Sequence, residues 1–147
     1  MELDNLDENI LRSLMENSKL SYREIGKKVK VSVATVMHRI KKLEKEEIIK
    51  KYTTLLNYET LGYDIEVLIE IRISKGKLFE VEKKIATNPN VFAVYDITGD
   101  FDAAILARFK NRRQIDAFLK KIQTYDFVER TNTRFILNTI KEKQVEI

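Results

Sequence analysis

Ser21-Tyr22-Arg23-Glu24-Ile25-Gly26-Lys27-Lys28-Val29-Lys30-Val31-Ser32-Val33-Ala34-Thr35-Val36-Met37-His38-Arg39-Ile40-Lys41-Lys42-Leu43 is the stretch on which the fold turns. Ser21 and Glu24 stand at capping-box spacing, in which the serine oxygen and the glutamate carboxylate satisfy reciprocal backbone donors. A short helix follows, with Ile25 and Val29 turned inward. Ser32 is placed to cap the next helix, which puts Val36, Ile40 and Leu43 on one face and runs to about Glu46. Upstream, Leu6, Ile10, Leu11, Leu14 and Met15 mark an amphipathic helix over Leu6–Asn17, with Asp4 or Asn5 at its cap. Helix, short turn, helix is the geometry that sets the second helix of the pair into the major groove of duplex DNA.

With Val36, Ile40 and Leu43 in a core, the opposite face carries Ala34, Thr35, His38, Arg39, Lys41 and Lys42. Small side chains at its start allow close approach to base edges. Arg39 can fork onto guanine, Thr35 and His38 can hydrogen-bond, and the lysines suit phosphates. The candidate DNA contacts are therefore Ser21, Tyr22, Ser32, Ala34, Thr35, His38, Arg39, Lys42 and Lys51. Blander readings stand beside these. Capping is the main role of Ser21 and Ser32, His38 equally suits an ordinary surface position, and Lys41, Lys42 and Lys45 equally suit a solvated helix face. Ile48–Asn57 is β-prone and basic at its start, so it reads either as a wing with Lys50 and Lys51 near the DNA backbone or as a connecting strand.

The charge distribution bears on the partner. Net charge is only +4 over 147 residues, yet residues 1–18 hold one base against five acids, while residues 19–51 hold eleven bases against four acids. A basic block beside an acidic one orients a field toward a polyanion. The chain has no cysteine and one histidine, which excludes structural zinc and a thiolate nucleophile by inventory. Gly26, Gly62, Gly76 and Gly99 lie too far apart for a phosphate-cradling loop, so no nucleotide cofactor is expected. No apolar run has the length of a membrane span and no leader pattern opens the chain, so a cytoplasmic protein without a membrane partner is expected.

The second half alternates. Ile65, Val67, Ile69, Ile71 and Ile73 share one face of a strand over Asp64–Ser74. Leu78, Val81 and Ile85 mark a helix of about ten residues, ended near Asn88-Pro89-Asn90. Strands over Val91–Thr98 and Asp102–Phe109 flank a tight turn at Gly99-Asp100-Phe101. Ile115, Phe118, Leu119 and Ile122 mark a second amphipathic helix, and Phe127–Ile140 reads as a last strand. The order β-α-β-β-α-β predicts a ferredoxin-like sandwich with both helices on one side of the sheet. Leu68, Phe92, Val94 and Leu106, or their alternating neighbours, are then left facing water unless a second copy covers them, which implies a homodimer. The fold class is α+β: a helix-turn-helix, winged-helix-like domain at 1–50, a connecting strand and hinge at 51–63, and a ferredoxin-like domain at 64–147.

Ser21 to Ile25, Val31 to Glu44, Ile48-Ile49, Leu61-Gly62-Tyr63 and Thr98-Gly99-Asp100-Phe101-Asp102, in that order, resemble the Lrp/AsnC family of transcriptional regulators over essentially the whole chain. The resemblance implies a sequence-specific regulator of double-stranded DNA, a dimer that builds higher assemblies such as octamers, and a free amino acid as effector. It places the effector near the turn at Gly99, Asp100, Phe101 and Asp102. There Asp100 or Asp102 would receive an α-ammonium and backbone amides near Gly99 a carboxylate, with Thr131, Asn132 and Thr133 supplying contacts from a neighbour. Local hairpin chemistry is the alternative reading of the same turn. Two positions depart from the family pattern, since Lys30 and Glu47 stand where it usually has glycine. A small-molecule sensor, or an architectural DNA-binding protein with little sequence specificity, is the alternative to the regulator. An enzyme is not expected, because Asp96, Asp100, Asp102 and Arg108 lie near one another in sequence without any nucleophile–base arrangement.

Overall fold

The capping signals near the start of the chain are met in the computed structural model, which describes residues 2–74 and 76–147. Asp4 caps helix α1 (Asn5–Glu16). Its carboxylate accepts the Asp7 N–H at 2.9 Å, and the Asp7 carboxylate accepts the Asp4 N–H in return. Ser21 and Glu24 form the same reciprocal pair at the start of α2 (Tyr22–Val29), and Ser32 caps α3 (Val33–Lys45) by accepting the Thr35 N–H. The apolar stripes then converge. Ile10, Ile25, Val36, Ile40 and Leu43 are sealed from water, and Leu6, Leu14, Leu20, Val29, Val31 and Ile49 pack around them. Met15, expected on the same stripe, is exposed because it lies one step past Leu11 around the helix. The chain divides into two compact units, one ending at Leu55 and including Lys143–Ile147, the other spanning Leu56–Glu142.

Both turns of the helical unit use left-handed backbone. Lys30 closes α2 at φ 59°, and Glu47 follows α3 at φ 56°. These conformations let the Val31 N–H return to the Gly26 carbonyl at 3.0 Å and the Ile48 N–H to the Leu43 carbonyl at 2.9 Å, satisfying carbonyls that a helix end orphans. A side chain in this region costs on the order of 1 kcal/mol, which full burial of a single Ile or Leu at about 2 kcal/mol outweighs. Gly26 has a different reason. A Cβ there would lie 2.8 Å from the Val31 carbonyl oxygen, so only glycine lets the turn fold down onto α2.

An ion pair ties α3 to the start of α1. One guanidinium nitrogen of Arg39 donates to Asp4 and, at 3.1 Å, to Asp7, whose side chain is 2% exposed. A carboxylate that deep needs a cationic partner. The Asp4 carboxyl is held below its ordinary range, first by the Asp7 N–H and then by Arg39, and the Arg39 guanidinium is pushed up by its bonds to Asp4 and Asp7.

The second unit runs β1 (Ile65–Ile73), α4 (Leu78–Ala86), β2 (Val91–Asp96), β3 (Ala103–Phe109), α5 (Arg112–Gln123) and β4 (Val128–Phe135). The sheet order is β2-β3-β1-β4, antiparallel throughout, as the ferredoxin-like reading requires. Strict alternation in β1 buries Val67, Ile69, Ile71 and Ile73 with Ile105, Phe109, Val81, Ile85, Ile115, Phe118 and Ile122. On the opposite face Leu68 pairs with Leu106, and Glu70 with Ala104.

Two expectations are corrected and one choice is decided. On β2 either Phe92 and Val94 or their alternating neighbours were expected to be uncovered; a register irregularity between Val91 and Ala93 puts both Val91 and Val94 against the core and leaves Ala93 and Tyr95 opposite Leu106 and Ala104. The last strand stops at Phe135 rather than Ile140, because its partner β1 begins at Ile65; the Ile136 N–H to the Glu66 carbonyl, at 2.9 Å, is the end of the ladder. Finally, Ile48–Asn57 forms neither wing strand nor connecting strand. Residues 50–57 have no regular structure, and the described elements of the helical unit offer no strand edge to pair with. Tyr52 in this segment instead donates its hydroxyl to Glu44 of α3 at 3.0 Å. Among the described residues no helix is long and apolar enough to cross a membrane.

The turns and the ion pair each set an expected change in stability. Lys30→Gly and Glu47→Gly should each stabilise the helical unit by about 0.5–1 kcal/mol, additively, in urea denaturation, because glycine relieves left-handed strain while loosening the unfolded chain; no gain at either site would show that the turns are unstrained. Arg39→Met should cost about 2 kcal/mol by stranding Asp7, less than for a fully buried pair because Arg39 is partly exposed. The sign of the pH effect is set by lowered carboxyl values at Asp4 and Glu24. The folded state binds fewer protons than the unfolded one, so this stability is present above the ordinary carboxylate range and is lost as pH falls through about 4 and below. Asp4→Asn and Glu24→Gln should flatten that acid limb.

Candidate nucleic-acid interface and effector site

Angular position on α3 sorts the candidate contacts. With Val36, Ile40 and Leu43 buried, Ala34, Met37, His38 and Lys41 stand outward at the i, i+3, i+4, i+7 set that a groove-inserted helix turns to base edges. Val33, at the first turn, is 45% exposed. Lys42 and Lys45 continue this outward line, four residues on from His38 and Lys41, and are exposed. Ala34 and His38 thus sit where the sequence placed them, while Val33 and Met37 were missed. Both are apolar and pass for core residues until the inward positions are seen to be filled by three others.

Arg39 does not present a free fork. Expected on the outward face, it stands on the side of α3 that meets the start of α1, and its guanidinium is committed to Asp4 and Asp7. Thr35 is likewise engaged: its hydroxyl lies 2.8 Å from that of Ser32, whose oxygen also accepts the Thr35 N–H. Ser21 donates its hydroxyl to Glu24 at 2.7 Å, and this bond, followed by the Ser21 N–H, holds the Glu24 carboxyl low. Tyr22 is half-exposed at the start of α2, and Lys51 is exposed beyond α3. These placements leave a compact apolar patch at the start of α3, flanked by lysines.

At the β2–β3 turn Gly99 adopts φ +116°, a conformation that excludes an ordinary side chain. Asp100 is exposed. Phe101 sits under the guanidinium of Arg130, 5.6 Å from the ring centre, which brings the turn to the start of β4. Asp102 is engaged in the backbone, its carboxylate accepting the Ile73 N–H at 2.7 Å while its own N–H donates to the Ile71 carbonyl at 2.9 Å. It closes the end of β1 where the β1–β4 register shifts.

The three β4 candidates do not share a face. Thr131 and Thr133 lie opposite Ile71 and Ile69 on the helix-covered side, whereas Asn132 lies opposite Glu70 and donates to its carboxylate at 2.9 Å. Thr133 lines a cavity of about 470 Å³ with Ile65, Ile115, Leu119 and Phe135, rimmed by Arg112 and Asp116. Another acceptor, absent from the sequence candidates, is Glu82 of α4. One of its carboxylate oxygens is buried without a partner among the described residues, and burial, then the charge of Asp96, pushes its carboxyl up.

Known proteins share this arrangement. Residues 3–50 match the model of a winged helix-turn-helix DNA-binding domain, and residues 66–146 that of the Lrp/AsnC ligand binding domain. An uncharacterised HTH-type transcriptional regulator of Pyrococcus furiosus is 45% identical over 97% of this chain and 96% of its own. The structure of E. coli AsnC is 27% identical, superposes with a TM-score of 0.94 and covers the whole of both chains. A transcriptional regulator of Neisseria meningitidis, solved as a complex with L-Met, is 26% identical with a TM-score of 0.90, over 97% of this chain and 94% of that one. A helix-turn-helix unit followed by a ligand-binding sandwich, matched from end to end, places the chain in the Lrp/AsnC family of transcriptional regulators.

Proposed function

We propose that this regulator binds double-stranded DNA as a homodimer, with α3 of each copy in successive major grooves, and that a free amino acid at the β2–β3 end of the sandwich modulates the assembly. The observation that carries the reading is the outward face of α3. Its inward face is filled and its first turn is capped, yet Val33, Ala34, Met37, His38 and Lys41 remain exposed, with Lys42 and Lys45 alongside for phosphates. The open sheet face supports the dimer, since Leu68, Leu106, Ala93 and Tyr95 lie where neither helix covers them. Two-fold pairing sets two recognition helices on half-sites about one helical turn apart. Further association into octamers fits the same building unit.

Amino-acid binding is supported by the ligand-binding family model and by the L-Met complex of the Neisseria regulator. Of the acceptors at this end, Asp100 is exposed and a Glu82 oxygen lacks a partner, so these suit an α-ammonium better than Asp102, which holds β1. The protein acts by binding, in the cytoplasm, without catalysis or cofactor. A second reading, an architectural protein that coats DNA, is favoured by the exposed lysines and by the engagement of Arg39.

Selection of bound sequences from random duplex DNA, with and without a mixture of amino acids, separates the two. A two-fold consensus with spaced protection is expected, whereas uniform coating without a consensus would reject the regulator in favour of the architectural reading. Leu106→Glu should shift the protein toward monomer in sedimentation and weaken operator binding about 100-fold through lost bivalency. A variant that stays dimeric would reject the open face as the interface.

A further inference from the structure

We propose that the start of α3 reads the 5-methyl groups of thymine, through Val33, Ala34 and Met37, rather than the hydrogen-bonding edge of guanine. This rests on the DNA-binding reading above and specifies what that surface recognises.

Few polar readers are free on this helix. The bidentate side chains for base edges are arginine or lysine for guanine and asparagine or glutamine for adenine, and the lysines of α3, Lys41, Lys42 and Lys45, all lie beyond its first two turns. Helix α3 contains neither asparagine nor glutamine, and its one arginine is held by Asp4 and Asp7. The hydroxyls of Ser32 and Thr35 are 2.8 Å apart, and Ser32 also caps the helix, which leaves the pair one O–H to donate outward, too little for bidentate pairing with a base. What remains at the first turns is apolar, with Val33 45% exposed, Met37 39% exposed and Ala34 beside them. Single exposed apolar residues are ordinary on a protein surface, but two large ones four residues apart on a groove-reading helix form a continuous patch.

The occupant follows from chemistry. The thymine methyl is the apolar feature that the major groove presents, and it distinguishes T·A from every other pair. The helical pair around it is cationic on balance, residues 19–51 holding eleven bases against four acids, which suits a polyanion and not a second apolar protein surface. Lys41 and His38 reach farther along the groove, where they supply phosphate or base contacts of lower selectivity.

The test uses the full chain and an operator obtained by the selection described above. Each thymine of a half-site is replaced in turn by uracil, which removes the methyl group and changes no base-pairing group. At one or two positions Kd should rise about 3- to 5-fold, the worth of one buried carbon. Val33→Ala and Met37→Ala should abolish that thymine–uracil difference, while Lys42→Ala weakens binding to both operators equally. Uracil operators bound as tightly as thymine operators would overturn methyl reading while leaving sequence-specific binding intact. So would a thymine–uracil difference that survives both apolar substitutions, or Val33→Ala and Met37→Ala variants that change subunit assembly and not base preference. If no sequence is selected at all, the regulator reading falls and this inference falls with it.

Discussion

The bond from Arg39 to Asp7 decides both how the helical unit is held and what it can recognise. Asp7 is needed at its position because its carboxylate completes the capping box with Asp4, yet that position also turns it into the core. A buried carboxylate without a cation would cost several kcal/mol or take up a proton. Arg39 answers that need from the neighbouring helix and loses its freedom in doing so. The outcome lies in the contact between helices: periodicity puts Arg39 beside the outward face, and only the position of α1 shows which way its long side chain turns.

Elements whose geometry is local were legible in the sequence, and those set by a partner were not. The caps at Asp4, Ser21 and Ser32 are interactions within four residues, so Ser21 and Ser32 could be named from the sequence and the first cap narrowed to Asp4 or Asn5. The alternation of β1 was equally plain, because a central strand with one face on the core must repeat every second residue. Strand β2 failed that logic. With six residues and an irregularity between Val91 and Ala93, it changes face midway, and nothing in the composition of Val91-Phe92-Ala93-Val94 marks the step. The excess length read into the last strand has the same origin. Its residues beyond Phe135 are as β-prone as those before, but pairing ends where β1 begins.

The β2–β3 end of the sandwich shows how topology filters a motif. Gly99 was readable because a left-handed turn between two strands favours glycine, and it has that conformation. The resemblance left Asp100 and Asp102 as alternative acceptors, and folding separates them: Asp102 accepts the N–H of Ile73, a residue of β1, while Asp100 stays exposed. Thr131, Asn132 and Thr133 are consecutive in sequence and therefore alternate across the sheet. One ligand held on a single face can meet the two threonines or the asparagine, not all three. Glu82 escaped notice for the converse reason: it belongs to α4, far from the motif in sequence, and only folding places its buried oxygen near Asp96.

The strained turns at Lys30 and Glu47 bear on the same surface. The Val31 N–H must reach the Gly26 carbonyl for α2 to close, and the absent Cβ at Gly26 lets the chain come that near. From there Ser32 must start α3 at once, leaving Lys30 as the residue that reverses direction. A right-handed residue at that point would carry Ser32 away from its cap position and swing Val33, Ala34 and Met37 off the outward face. The strain of about 1 kcal/mol at Lys30 is thus the local cost of aiming the recognition helix. It persists because the helices on either side bury Ile25 and Val36 completely, and that burial stabilises the unit by more than the turn destabilises it.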